Sequence, residues 1–428
     1  MRLLSSVGFL NLALVAITTH ASLSLPKEVK ILEQISSDCN NFSSLLVKSV
    51  AELGPKDFES YGISPIGIYL TLSTIAFGAT GETRSVLDSA VYNGPEDERK
   101  ISFKSLVDYL NHDLSGLRVT NGFFASRHIS FESKFVGAID EVFGATLRKV
   151  DFEKEPIATN DIMSDWCKER TNSRLKNSVT AANYDPKRVL SFTNTVYLKG
   201  TWLTQFNIRE TENKLFFVNT TVQTYLPHMI VAGNITLVEK TDFTIFELPL
   251  RADLGGRQAL RMIVILPKEL KRLPELEQNI SGFLSQHLFL KSSLVVEERC
   301  IVIPKFRIAS KIDLTRPLKN MSMGDLFSKE RARFLGISSP RDRFYFTGVE
   351  QNTVFEMNEE GIEVASAIGC NDEILKAPSI FKPDSSLKAS KWHEECKHHR
   401  IVVRHPFYAA IVTSDLNPVN LFTVQFNG

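Results

Sequence analysis

Apolar residues three and four apart mark the helical half of the chain. In 42–53 (FSSLLVKSVAEL) they place Phe42, Leu45, Leu46, Val50 and Leu53 on one helical face, with Asn40 or Asn41 as cap. Residues 64–77 open on Ser64-Pro65, a cap followed by proline in the first turn, and are apolar nearly all round. A buried helix is expected there, ended by Gly78 and Gly81. Later the pattern changes to β-branched and aromatic runs: 188–198, 261–266 closed by Pro267, 300–308 and 343–349. The stretches 401–412 and 420–426 read as paired core strands ending the chain. Helices dominate the first 180 residues and strands the remainder, with no repeat and no linker between them. The pattern predicts an α+β domain with large sheets spanning nearly the whole chain.

The first residues follow a different logic. Arg2 precedes an apolar run over 7–17, and small residues surround Thr19-His20-Ala21. This is the pattern of a signal peptide over 1–21, leaving 22–428 as a single domain with a secreted, extracellular fate. Asn41, Asn219, Asn234, Asn279 and Asn320 each begin an Asn-x-Ser/Thr glycosylation acceptor. No later stretch has about 18 consecutive apolar residues, so no membrane association is expected. Lys and Arg number 50 against 49 Asp and Glu, a net charge of +1, so a broad nucleic-acid-binding face is not expected.

The familiar catalytic signatures are absent: there is no G-x-S-x-G turn, no H-E-x-x-H and no Walker loop. No enzyme activity and no cofactor are expected. His393, His398, His399 and His405 cluster in sequence, but Lys391, Lys397, Arg400 and Arg404 interrupt them. Cations repel a metal and the spacing matches no known site class, so no metal is expected.

The informative segment is 355–369 (FEMNEEGIEVASAIG). After Glu359-Glu360-Gly361 the alternation is strict. Ile362, Val364, Ser366 and Ile368 fall on one face, with Glu363, Ala365 and Ala367 on the other. This is the period of a strand with one buried face. A long, polar, irregular stretch (370–400) follows, so a strand-competent segment runs straight into a loop.

With these residues in view, the chain resembles a serpin. Asn194-Thr195-Val196-Tyr197-Leu198-Lys199-Gly200-Thr201-Trp202 is similar to a characteristic strand of that family. Ile63-Ser64-Pro65 running on to Gly81-Glu82-Thr83 is similar to its second helix and following turn. Met262 to Pro267, Ile303-Pro304-Lys305-Phe306, Met357 to Gly361 and His405-Pro406-Phe407 match further segments in family order. The resemblance implies about nine helices, three β-sheets and an exposed reactive-centre loop, here about 359–400. It implies a suicide substrate: a protease cuts the loop and forms an acyl-enzyme. The upstream half then inserts into the main sheet and the protease is distorted before hydrolysis.

Two readings follow. In the first the protein is an extracellular inhibitor of a trypsin-like or chymotrypsin-like serine protease, acting as a monomer. The hinge is Glu359, Glu360 and Gly361, followed by Ile362, Glu363, Val364, Ala365, Ser366, Ala367 and Ile368. In the second it is a non-inhibitory carrier, storage or signalling serpin. Ile362, Val364 and Ile368 are bulkier than the Thr, Ser and Ala that the family prefers there. Overpacking a close-packed slot costs about 1–3 kcal/mol. Counting from Gly361 at the family's spacing places the bait bond at Leu375–Lys376, or with one more residue at Lys376–Ala377. An insert of about twenty residues, within 377–399, then lies downstream of it. Cys370 and Cys396 form a candidate disulfide across the loop; Cys39, Cys167 and Cys300 have no partner assignable from sequence.

Overall fold

Eight α-helices and fifteen strands lie among the described residues of this computed structural model, which are 26–53, 59–113, 116–175, 190–251, 258–289, 294–338, 344–368, 399–414 and 418–428. The first part of the chain runs α1 (Lys27–Leu53), β1 (Tyr61–Ile63), α2 (Pro65–Ala76), α3 (Gly81–Val91), α4 (Arg99–Asp108), β2 (Leu117–Ser126), α5 (Ser133–Phe143), β3 (Thr146–Val150) and α6 (Pro156–Arg170). Strands then dominate: β4 (Leu190–Trp202), β5 (Glu212–Phe217), β6 (Gln223–Glu239), β7 (Phe243–Arg251) and β8 (Gln258–Pro267). After α7 (Leu273–Phe289) come β9 (Val295–Pro304), β10 (Phe306–Asp313) and the single turn α8 (Thr315–Leu318). The chain closes with β11 (Glu350–Met357), β12 (Gly361–Ile368), β13 (Arg400–Val402), β14 (Phe407–Thr413) and β15 (Asn420–Phe426).

All fifteen strands join one hydrogen-bonded network with three lobes. The central sheet has the order β3-β2-β4-β12-β11-β10. A second runs β1-β15-β14-β8-β7-β6, and a third runs β5-β6-β9-β13. The 17-residue β6 belongs to both of the latter. The expected α+β architecture is present.

Pro65 supplies a fixed φ at the first turn of α2, and eleven of its twelve residues are buried. This helix lies against the inner face of the central sheet, and glycine makes the approach fit. A Cβ on Gly67 would stand 2.6 Å from Asn194 Oδ1 and 3.1 Å from Val196. The opposite face of the sheet is covered by α6. Met163, Trp166 and Cys167 of α6 pack with Phe124, Tyr197, Val354, Ala365 and Ala367 of four different strands.

Several sequence readings change. The helix expected over 42–53 begins at Lys27, and Asn40 is no cap. Its buried side chain reaches the chain's end, donating to the Pro418 carbonyl and accepting from the Asn420 N–H at 3.1 Å. Phe42, Leu46 and Val50, spaced by four, are buried, whereas Leu45 is 57% exposed. The strand expected over 300–308 is two strands, divided at Lys305, whose N–H turns to the Pro227 carbonyl at 2.9 Å. Residues 344–349 form no strand: the aromatic run packs into the core as an irregular approach to β11, which the pattern had hidden. The run 401–412 is divided at Pro406 into β13 and β14, because proline has no N–H for the ladder. As expected, β14 and β15 pair, antiparallel, from Phe407↔Phe426 onward.

Candidate functional site

The segment singled out in the sequence occupies the middle of the central sheet. β12 lies between β11 and β4 and is antiparallel to both, from Gly361↔Thr201 to Ile368↔Asn194 on the β4 side. The sequence pattern predicted one buried face; the structure buries both. Ile362, Val364 and Ile368 belong to the main core, each at most 5% exposed. The Ser366 hydroxyl meets that of Thr353 at 3.1 Å on the same side. Ala365 and Ala367 face the cluster beneath α6, where their small size leaves room for Tyr197 and Trp166. The bulky inner-face residues, expected to overfill the slot, are therefore accommodated as core. The resemblance implied an exposed loop, whereas the seven residues after the hinge, Ile362–Ile368, are sheet. Leu375, Lys376 and Ala377 lie outside the described residues, as do Cys370, Cys396 and the segment 1–21.

The hinge is a tight turn between β11 and β12. Asn358 closes it: its N–H donates to the Gly361 carbonyl at 3.0 Å. Its Oδ1 accepts from the N–H groups of Glu360 and Gly361 at 2.9 and 3.1 Å. This Asx-type bonding is why asparagine suits the position. Gly361 is required by contact rather than by dihedral. A Cβ there would lie 2.0 Å from the Gly200 carbonyl oxygen and 2.8 Å from Thr201 Cα. Trp202 ties the turn to β4: its indole Nε1–H donates to the Asn358 carbonyl at 2.8 Å, and its N–H donates to the Glu360 carbonyl at 3.0 Å. Glu359, 4% exposed, accepts from Lys305 Nζ at 2.9 Å and from the Thr211 hydroxyl at 2.6 Å. A buried carboxylate is tolerated only with such partners.

Further along, the inner face carries a buried polar layer. Gln351 bridges the turn into α2, with Oε1 accepting from the Ser64 N–H at 2.8 Å and Nε2 donating to the Ser64 carbonyl at 3.1 Å. Asn194 Nδ2 donates to Asn121 Oδ1 at 2.9 Å across β4 and β2. On the outer face stands Glu363, the one charged side chain of β12. Burial works to raise its pKa. Hydrogen bonds from Arg174 and from the Tyr197 hydroxyl outweigh that and hold it below the ordinary glutamate range.

Downstream of the loop, β13 pairs in parallel with β9 through Arg400↔Cys300 to Val402↔Val302. The Cys300 N–H donates to the His399 carbonyl at 3.0 Å, and the Val403 N–H donates to the Val302 carbonyl at 2.8 Å. Fully buried His228 holds this segment from β6, with Nε2 3.0 Å from the Val403 carbonyl oxygen and Nδ1 2.8 Å from that of Leu226. Burial pushes the His228 pKa down.

Of the clustered histidines, His399 Nδ1 lies 3.2 Å from Arg299, and His405 Nδ1 lies 3.3 Å from the Pro406 carbonyl oxygen. His393 and His398 lie outside the described residues. Cys39 is a buried free thiol, whereas Cys167 and Cys300 are both disulfide-bonded. Asn41, Asn234, Asn279 and Asn320 are exposed, and Asn219 is half-buried. Sequence reasoning found the hinge residues but missed the groups that hold them. Tyr197, Trp202 and Lys305 stood inside quoted motifs without an assigned role; Arg174 and Gln351 carried no signal.

Comparison with known proteins agrees with this geometry. The family model for Serpin (serine protease inhibitor) matches residues 37–423. Serpin B11 of Mus musculus is 26% identical over 339 residues, covering 75% of this chain and 86% of its own. A leukocyte elastase inhibitor of Equus caballus is 25% identical over 344 residues, covering 78% and 89%. A solved structure, cleaved Serpin 42Da, superposes with a TM-score of 0.77 at 20% identity, covering 93% of this chain and 99% of that one. These relatives correct one expectation. They belong to the intracellular B group of serpins, which argues against the secreted, extracellular location read from the N-terminal pattern.

Proposed function

The chain belongs to the serpin family, and from that membership we propose that it is a protease inhibitor that traps its target by loop insertion. The observation that supports this reading is the position of β12. A strand-competent segment that the resemblance assigns to the start of the reactive loop is a strand paired on both edges between β11 and β4, with apolar side chains buried on both faces. The inserted arrangement is well packed. Burying apolar surface contributes about 25 cal/mol per Å², and the seven residues Ile362–Ile368 gain ladder partners on two sides. Cutting the loop frees its upstream half to reach this arrangement, and a protease joined to that half as an acyl-enzyme travels with it. The bait bond is Leu375–Lys376, which suits a chymotrypsin-like serine protease, or Lys376–Ala377, which suits a trypsin-like one.

A second reading is a serpin that does not trap. It is favoured by the seating of β12 in an uncut chain, since a strand already in place stores no further drive. One experiment separates the two. The protein is incubated with trypsin and with chymotrypsin and run on a denaturing gel. A covalent band at the summed mass is the expected result. Cleavage at 375–377 without that band supports the second reading and overturns the first.

A further inference from the structure

We propose that Arg174, in the turn after α6, is a positioning residue for loop insertion: a latch that engages the inserted strand and holds it in the central sheet. This rests on the inhibitor reading for its purpose, but the contact stands on geometry. The two carboxylates of Glu356 and Glu363 face each other across β11 and β12 in register. Like charges directly opposite on a sheet repel, and both side chains are largely buried, 11% and 13% exposed. Arg174 spans them. Its Nη2 hydrogen-bonds Glu363, and its Nη1 lies 3.6 Å from Glu356. From β4, the Tyr197 hydroxyl donates to Glu363 at 2.8 Å and Lys199 stands in register with it. Arg307 on β10 is in register with Glu356.

The turn is built to present this side chain. Thr171 ends α6, its hydroxyl donating to the Cys167 carbonyl at 2.7 Å and accepting from the Leu175 N–H at 3.2 Å. Asn172 and Ser173 both take left-handed φ values, 50° and 58°, which non-glycine residues adopt at a cost and which survive where surrounding bonds enforce them. Asn172 Nδ2 donates to the Tyr197 hydroxyl at 3.2 Å, so the turn and β4 converge on Glu363 together. Leu175, 1% exposed, anchors the chain on the far side of Arg174.

Glu363 comes within reach only when β12 is seated. Before insertion Arg174 has one carboxylate to neutralise, and afterwards it has two. The contact therefore favours the inserted state selectively, and by slowing reversal it directs the outcome towards trapping instead of release of the cut chain.

The test is a double-mutant cycle on the full chain, uncut and protease-cut, with Arg174→Ala, Glu363→Gln and the pair. Unfolding rates in denaturant are read from pH 7 down to pH 3. Each single change should speed unfolding of the inserted form about tenfold, as expected for a charge-assisted contact, and the double variant should be little faster than either. The pH profile gives a readout that packing alone would not move. A carboxylate held below its ordinary pKa stabilises above that ordinary value and loses its effect as pH falls through the lowered one. The wild-type rate should thus rise below about pH 4, and this rise should be smaller in Glu363→Gln. Arg174→Lys should restore part of the loss. Tyr197→Phe, which removes one hydroxyl, keeps the question answerable if Arg174→Ala folds poorly, and it should give a smaller effect of the same sign. Strictly additive effects, or an Arg174→Ala profile parallel to wild type at every pH, would overturn the latch. Equal melting of cut and uncut chains, with no covalent complex, would instead overturn the inhibitor reading and leave the cycle interpretable.

Discussion

The two ends of the loop are held in different ways. Upstream, β12 is paired on both edges over the seven residues Ile362–Ile368 and buried on both faces. Downstream, β13 is paired on one edge over three residues, with Arg400 and Val402 exposed and Ile401 alone turned inward. The first is held by burial and by side chains from four elements; the second is held by its backbone and one histidine. Such an asymmetry suits a molecule whose upstream segment is the moving part. The segment that moves needs a destination deep enough to make its motion one-way, while the other end needs only to stay in place.

The largest expected effect is covalent. Cys167 lies on the buried face of α6 over the upstream strand, and Cys300 lies on β9 beside the downstream one; both are disulfide-bonded, while Cys39 is free. They sit in different layers of the molecule, so a non-reducing peptide map should show that they are not linked to each other. That outcome assigns each of them to one of the two remaining thiols, Cys370 and Cys396. Recovery of a Cys370–Cys396 peptide would require a Cys167–Cys300 bond instead and would remove this distinction between the two ends.

Next in size is charge placement. Val364→Arg puts an unpaired cation into the core and should cost about 3–5 kcal/mol in denaturant unfolding. Val402→Arg, at a position 37% exposed, should stay within about 0.5 kcal/mol. Equal costs would mean that the ends are held alike. Gly361→Ala should cost about 1–3 kcal/mol, because the new methyl meets the Gly200 carbonyl and one strand must shift. The smallest effect is on acidity. The lowered pKa of buried His228 means that the unfolded chain binds the proton more readily. Its contribution is present above the ordinary histidine range and is lost as pH falls below about 6.5. Lys214 adds to this by opposing a positive ring. Glu363 behaves likewise, but in the carboxylate range. Hydrogen exchange at pH 7, 5.5 and 4 should therefore show residues 400–403 loosening at a higher pH than residues 361–368. Simultaneous loosening would contradict the separate roles of His228 and Glu363.

Much of this was legible in the chain. Period-two alternation marked 362–368 as a strand because each residue's face is set by its neighbours' chemistry. Glu359 and Gly361 stood out through their resemblance to the family's hinge, whereas the ion partner of one and the close backbone approach at the other are visible only in the fold. What stayed hidden was whatever depended on a second segment. Burial of the outer face could not be read from Ala365 and Ala367, since small residues suit exposure as well as close packing beneath α6. Arg174 is an ordinary arginine until the turn after α6 places it over two carboxylates 182 and 189 residues away along the chain. The strand expected over 343–349 failed for the same reason: aromatic residues serve an irregular core segment as well as a ladder.

The turn at Asn358 also bears on how the polypeptide first folds. β11 and β12 are successive in the chain with only three residues between them, so their pairing closes a very short loop at little entropic cost. Their other neighbours come from much farther away: β4 ends some 160 residues before β12 begins. Local contacts form early, in microseconds for a hairpin. A nascent chain thus has a ready route to the relaxed arrangement before any protease is met. If the protein traps as proposed, its active yield would then be decided during synthesis, by whichever of β12 or β11 first docks on β4.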